Sequence, residues 1–172
     1  MKISMYQASA PRLAHMLENL SRILDKAQAQ VDAGKIDMPA LMAYRLAPDM
    51  FPFFKQVQIA CDKSRSVVAR LAGLEVPPYA PDETTLAQLQ ERIAGTVAFL
   101  RSVSPERIDG TEDKAIVLPV AGQPTRYSGM QLLLGHSLPN VYFHITTAYN
   151  ILRHLGVPLG KRDFMGVPRF KS

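Results

Sequence analysis

Apolar side chains recur every three or four residues along four stretches of the chain, which is the spacing of one face of a helix. These stretches cover about residues 6–31, 49–71, 85–103 and 128–155. Asp49 is placed to cap the second predicted helix. This helix ends at the Gly and Pro residues that follow Leu71. The pattern therefore predicts four amphipathic helices.

Boundary signals support the last two of these helices. Thr85-x-x-Gln88 and Ser128-x-x-Gln131 both have the form of a capping box, in which two side chains satisfy the free N–H groups of a first turn. Pro139 lies inside the fourth helix, where its ring removes a hydrogen bond. We therefore expect it to bend or restart that helix.

Two segments do not follow a helical pattern. Residues 114–119 and 123–127 flank Gly122, which predicts either a short β-hairpin of edge-type strands or an extended loop. At the C-terminus, the glycines and prolines of 157–170 argue against a helix, while Leu159 and Phe164 require burial. This extended tail is expected to pack over the other helices or onto another subunit.

Four amphipathic helices bury their apolar faces most simply in an antiparallel bundle. We therefore predict an all-α four-helix bundle in a single domain over residues 1–172, with simple up-down or crossover connectivity left open. The length of 172 residues suits one core. Exposed faces of the bundle, together with the apolar tail, also predict a homodimer.

Composition narrows the classes of function. Hydrophobic residues make up 47% of the chain, which is ordinary for a globular protein. No apolar run approaches the roughly 18–20 residues that span a bilayer, so no membrane partner is expected. The net charge of +5 is concentrated near the C-terminus and not spread along one face, so the charge pattern does not favour nucleic acid as a partner. The N-terminus lacks a secretory apolar core, and this predicts a cytoplasmic protein.

Few residues have the spacing of a reactive site. Cys61 is the only cysteine, which excludes an intrachain disulfide, and its apolar neighbours predict a buried, inert thiol. Asn140 and His144 lie four residues apart on the predicted fourth helix and could together hold a ligand or a metal. Gln56 and Gln58 are polar candidates on the second helix. The alternative is a core histidine that is hydrogen-bonded to the second helix.

The fourth helix resembles the last helix of the DinB/YfiT-like metalloenzymes, in which His-x-x-x-His is followed by Leu-Arg-x-x-Gly-Val. Here Asn140-x-x-x-His144 precedes Leu152-Arg-x-x-Gly-Val. More closely, four segments resemble an uncharacterised bacterial family within that superfamily, and the resemblance covers nearly the whole chain. Those segments are residues 45–53, 56–62, 139–153 and 156–164.

The resemblance implies a dimeric four-helix bundle with nickel or zinc held by three histidines. Carried over to this sequence, the ligand positions are His144, Asn140 and either Gln56 or Gln58, so two of the three ligands become neutral amides. We therefore expect no cofactor, with His144 alone as a weak metal candidate. The predicted function is a bundle protein that binds a small molecule in its pocket; the alternative is a residual metal-dependent hydrolase or thiol transferase that uses His144.

Overall fold

The structure, a computed structural model, describes residues 3–76, 78–120 and 122–166. This part of the chain is mostly helical, with a small antiparallel sheet. The α-helices and β-strands are α1 (Met5–Ala8), α2 (Ala10–Asp32), α3 (Met38–Ala43), α4 (Phe53–Ala72), α5 (Leu86–Ser102), β1 (Ile116–Val120), β2 (Gln123–Tyr127), α6 (Leu138–His154) and α7 (Lys161–Met165). A 3₁₀ turn covers Pro105–Arg107, and a π-helical segment covers Gln131–Ser137.

The long helices α2, α4, α5 and α6 account for most of the packing. Helix α4 lies against both α5 and α6, and α2 lies against α5. Their inward faces form one apolar core in which leucines such as Leu17, Leu20 and Leu89 are fully buried. Burial of these faces supplies the main driving force for folding. The arrangement brings α4 and α6 together, and the candidate residues lie on these two helices.

Both predicted capping boxes of the third and fourth helices are present. The Thr85 hydroxyl accepts from the backbone of Gln88, whose side chain returns to the N-cap backbone. The N–H of Gln131 likewise donates to the Ser128 hydroxyl at 3.2 Å. Pro139 restarts the helix as expected: the chain widens into the π-helical segment, and α6 begins one residue before the proline.

The β-hairpin is also present. β1 and β2 pair antiparallel, with Val120 opposite Gln123 and Pro119 opposite Pro124. Gly122 adopts a φ of 78° in the turn, a conformation that glycine favours. The fold is therefore mostly helical with a two-stranded sheet.

Two helix boundaries differ from the sequence pattern, and proline explains both. The first helix is interrupted at Ser9. The ring of Pro11 would clash with the backbone one turn earlier if the helix were continuous. Asp49 does not cap the second helix. Pro52 disfavours a helical conformation at Phe51, so α4 begins only after the proline.

The apolar pattern of the sequence did not predict two short helices, α3 and α7. Residues 38–43 form α3 because Asp37 accepts from the Ala40 N–H at 2.9 Å, and Pro39 is tolerated in a first turn. The expectation of a helix-free tail was wrong at residues 161–165, which form α7. There the Gly160 N–H donates to Asp163 at 2.8 Å. The glycines flank this turn and do not interrupt it, and the tail beyond 166 lies outside the described residues.

The C-terminal segment lies on α2. Asn19, fully buried, donates through Nδ2 to the Phe164 carbonyl at 2.9 Å. Lys26 forms an ion pair with Asp163 at 2.9 Å. Of the two placements expected for the tail, residues 157–166 therefore adopt the one over the chain's own helices.

Candidate functional site

Gln56 and His144 meet between α4 and α6. Gln56 lies in the first turn of α4 and is 1% exposed, while His144 lies in the second turn of α6 and is 8% exposed. The His144 Nδ1 atom is 2.6 Å from the Gln56 Oε1 atom. The two candidate residues are thus joined by a buried hydrogen bond across the helix pair.

A second hydrogen bond fixes the orientation of the glutamine amide. The Gln56 Nε2 group donates to the Phe51 carbonyl at 2.8 Å, so its Oε1 atom must face the imidazole. A carbonyl oxygen can only accept, which requires that Nδ1 of His144 carries the proton. The neutral ring therefore has its free lone pair on Nε2, and no described residue forms a hydrogen bond with that nitrogen.

The environment keeps this imidazole uncharged. Burial, and then the positive charge of Lys63, lower the pKa of His144 below its ordinary value. At neutral pH the ring is consequently neutral, with one donating and one accepting nitrogen. The exposed ring of Phe143 stands edge-on to it, with the ring centroids 5.3 Å apart. His144 Nε2 can thus act as a hydrogen-bond acceptor or a weak base.

Asn140 lies one turn before His144 on α6. Its side chain is half-buried, and its Oδ1 atom is enclosed without a hydrogen-bond partner among the described residues. A buried polar atom without a partner costs about 1–3 kcal/mol. The amide oxygen is therefore a second acceptor, one helical turn before His144.

Gln58 does not join this group. It points away from Gln56 on the other side of α4, and its Nε2 group donates to Glu83 at 2.7 Å. The resemblance left the second-helix position open between these two glutamines. The hydrogen bond to His144 identifies Gln56 as the residue that faces α6.

Glu83 belongs to a buried charged cluster that the sequence pattern did not reveal. Arg92 of α5 donates to Glu83 and lies 2.9 Å from Asp62 of α4, with a side chain only 2% exposed. Arg65 lies 3.9 Å from the centroid of the Tyr79 ring. The missed signal is an arginine between Leu89 and Thr96 on the buried face of α5. This cluster ties the segment before α5 to α4.

Cys61 lies beside the same cluster. It is fully buried, and burial raises the pKa of its thiol to about 12. A thiol protonated at neutral pH is a poor nucleophile. The residue therefore contributes packing, as the sequence predicts.

The resemblance to the DinB/YfiT-like superfamily implies a metal centre of three histidines. In the ranges that the structure describes, no three His, Cys, Asp or Glu side chains form a group able to hold a metal ion. The corresponding positions offer one imidazole and two amides, and the Gln56 oxygen already accepts the Nδ1 proton. Neutral amides are weak ligands for nickel or zinc. The donor set does not fit that metal centre.

Residues 5–165 match the family described as a domain of unknown function, DUF1993. The chain belongs to the DUF1993 family. A crystal structure of a DinB family member protein from Shewanella denitrificans is 41% identical in sequence, with a TM-score of 0.90. That similarity covers 97% of this chain and 94% of the other. The resemblance to an uncharacterised family within the DinB-like superfamily is thereby confirmed.

No curated protein matches the sequence of this DUF1993 member. Among its described residues, no helix has the length and apolar character needed to cross a bilayer.

Proposed function

We propose that this DUF1993 protein is a DinB-like four-helix-bundle protein that works without the three-histidine metal centre and binds a small molecule beside His144. The hydrogen bond from His144 Nδ1 to Gln56 Oε1, 2.6 Å long, carries the proposal. This hydrogen bond occupies the Gln56 oxygen, which is therefore not available to a metal ion. It also leaves one lone pair of the imidazole, on Nε2, for a ligand.

The available atoms define the kind of ligand. His144 Nε2 accepts hydrogen bonds, and the enclosed, unpartnered Oδ1 atom of Asn140 one turn earlier would do so once its amide rotates towards the ligand. Residues four apart on a helix have side chains close enough to contact one ligand. Two neutral acceptors favour an uncharged hydrogen-bond donor such as a primary amide. The ring of Phe143 offers an apolar surface beside them.

Nitrogen-resolved NMR of protein labelled at histidine, prepared without an affinity tag, tests the proposal. The spectrum should show the His144 ring protonated at Nδ1. Titration with benzamide, a simple primary amide, should shift the Nε2 resonance in a saturable way. Titration with zinc chloride should not reach saturation at one equivalent.

Two asparagine variants on α6 give the control. Asn140→Leu removes the proposed acceptor and should weaken benzamide binding, whereas Asn150→Leu changes an exposed asparagine on the same helix and should not. Stoichiometric zinc bound at Nε2 would contradict the proposal and favour the metal-dependent hydrolase or thiol transferase. An unchanged Nε2 resonance with benzamide would refute the ligand site.

The homodimer stays a prediction. Leu134 and Phe143, 50% and 56% exposed, are apolar side chains on the outside of this part of the molecule. We propose that they contribute to contacts between two copies, which sedimentation analysis would detect as a dimer.

A further inference from the structure

A cleft lies between the C-terminal half of α4 and the β-hairpin. Its volume is about 310 Å³, at the lower end of the roughly 300–1,000 Å³ typical of small-molecule sites. Lys63, Ser66 and Arg70 of α4 form one wall, residues 118–120 of β1 form another, and His136 of the π-helical segment completes the lining. The polar side chains of the lining are basic or neutral.

The α4 wall is preorganised. Lys63, Ser66 and Arg70 are three and four residues apart and share one helix face. The Arg70 Nε group donates to the Ser66 hydroxyl at 3.1 Å, which orients the guanidinium. Its terminal nitrogens make no hydrogen bond to any described residue. They are free to contact a ligand.

Within the described part of the chain, neither cation has a carboxylate partner. The ion pairs among the described residues do not include Lys63 or Arg70, although both side chains are half-buried. Lys114 adds a third positive charge near this end of α4, where its Nζ atom donates to the Arg70 and Leu71 carbonyls, each at 2.9 Å. A partly desolvated group of like charges is stabilised by an anion.

We propose that this cleft binds a small organic phosphate. Lys63 and the terminal nitrogens of Arg70 contact the phosphate oxygens by charge-assisted hydrogen bonds, and the Ser66 hydroxyl supplies a further polar contact. The organic part lies against Leu118 and Val120 of β1. Two cations in one cleft suit a doubly charged phosphate monoester better than a singly charged carboxylate.

His136 supplies a hydrogen bond to the same ligand. Burial, and then the charge of Lys63, lower the pKa of His136, so its ring is neutral at neutral pH. The ring lies against Tyr127, with the centroids 5.6 Å apart, which holds it at the edge of the hairpin. The side chains that line this cleft differ from Gln56, Asn140 and His144, and the two sites are linked only through the charge of Lys63, which also lowers the pKa of His144.

Backbone amide NMR at neutral pH and low salt tests the inference. Phenyl phosphate should produce saturable shifts confined to residues 63–70, 118–120 and 136. Inorganic phosphate should bind there more weakly, because it lacks the apolar contact with β1. Lys63→Gln and Arg70→Gln should each weaken phenyl phosphate binding by about tenfold or more.

Lys55→Gln is the matched control, because Lys55 is a half-buried lysine of α4 that does not line the cleft. It should bind phenyl phosphate like the unmodified protein, and Lys63→Arg should retain binding even if Lys63→Gln is poorly folded. Equal weakening by Lys55→Gln, shifts that do not saturate, or benzoate binding as tightly as phenyl phosphate would overturn the inference. His144→Gln should leave phenyl phosphate binding intact, which separates this site from the His144 site.

Discussion

At the scale of single residues, the central feature is a chain of hydrogen bonds that begins at a backbone carbonyl. The Phe51 oxygen fixes the Gln56 amide, and the amide fixes the tautomer of His144. One neighbour thereby determines which nitrogen of the ring is free. A histidine in place of Gln56 would offer a ring nitrogen that can coordinate a metal ion. Glutamine instead offers an oxygen that accepts the hydrogen bond from Nδ1 of His144.

Burial of two neutral imidazoles makes stability depend on pH. The unfolded chain takes up a proton near the ordinary histidine pKa of about 6.5, whereas folded His144 and His136 have lowered pKa values. Below about pH 6.5 the unfolded state therefore binds more protons, so stability should fall as the pH drops through this window and level off beneath the folded pKa values.

Urea denaturation between pH 7.5 and pH 5, a range chosen to bracket about 6.5, measures this effect. His144→Gln and His136→Gln should each flatten the decline of unfolding free energy, and the double variant should flatten it further. The prediction fails if the decline is as steep in the double variant as in the unmodified protein.

At the scale of elements, the junction between the hairpin and α6 depends on a close backbone approach. The Met130 N–H donates to the Glu112 carbonyl at 2.9 Å. A Cβ atom added at Gly129 would lie closer than van der Waals contact to the Thr111 carbonyl oxygen. Glycine at this position lets the loop after α5 pack against the start of the π-helical segment.

Gly129→Ala should therefore destabilise the protein by about 1–3 kcal/mol, because a backbone carbonyl must move to admit the methyl group. Gly135→Ala is the matched control, since no atom of another part of the described chain lies within 4 Å of an added Cβ there. It should be neutral or stabilising by about 0.5–1 kcal/mol. Urea denaturation of both variants measures the difference, and equal stabilities would contradict the packing argument.

The elements also show what the sequence could reveal. Long helices were predictable because their apolar spacing and capping boxes are local, as at Thr85 and Gln88. The starts of α2 and α4 were misplaced because a proline outweighed the pattern around it. Short α3 and α7 depend on single caps, Asp37 and Asp163, in segments too brief to show periodicity.

The candidate site was predictable only in part. His144 and Asn140 are separated by one turn, so their shared face followed from spacing alone. The hydrogen-bond partner of His144 could not be predicted, because the sequence does not tell which side of α4 faces α6. Only the packing of the two helices distinguishes Gln56 from Gln58. The cleft at Lys63 and Arg70 was likewise hidden, since the hairpin that closes it lies far along the chain.

At the scale of the whole molecule, a buried asparagine connects the two ends of the described chain. Asn19 donates to the Phe164 carbonyl, and His15 Nε2 lies 2.9 Å from the Met165 carbonyl oxygen on the same face of α2. Lys26 adds its ion pair to Asp163. Polar contacts around a single amide thus join the burial of Leu159 and the packing of Phe164 in holding the C-terminal segment.

Asn19→Ala should lower the unfolding free energy by about 1–3 kcal/mol, because the Phe164 carbonyl and the Arg22 guanidinium each lose a partner. Trypsin should then cut faster after the exposed Lys161 and Arg162. Asn150→Ala, on the exposed face of α6, serves as the control and should leave both measurements unchanged. Unaltered cleavage in Asn19→Ala would show that other contacts hold the segment.

The proton shared by His144 and Gln56 has a practical consequence. It bridges α4 and α6 in a short bond that is nearly closed to water, so its magnetic resonance is sensitive to the spacing of those two helices. At a fixed pH and without a ligand at Nε2, an event that pushes the two helices apart would lengthen the bond and move the signal. The His144 Nδ1 proton is thus an intrinsic NMR probe of the distance between α4 and α6, which needs no attached dye or spin label.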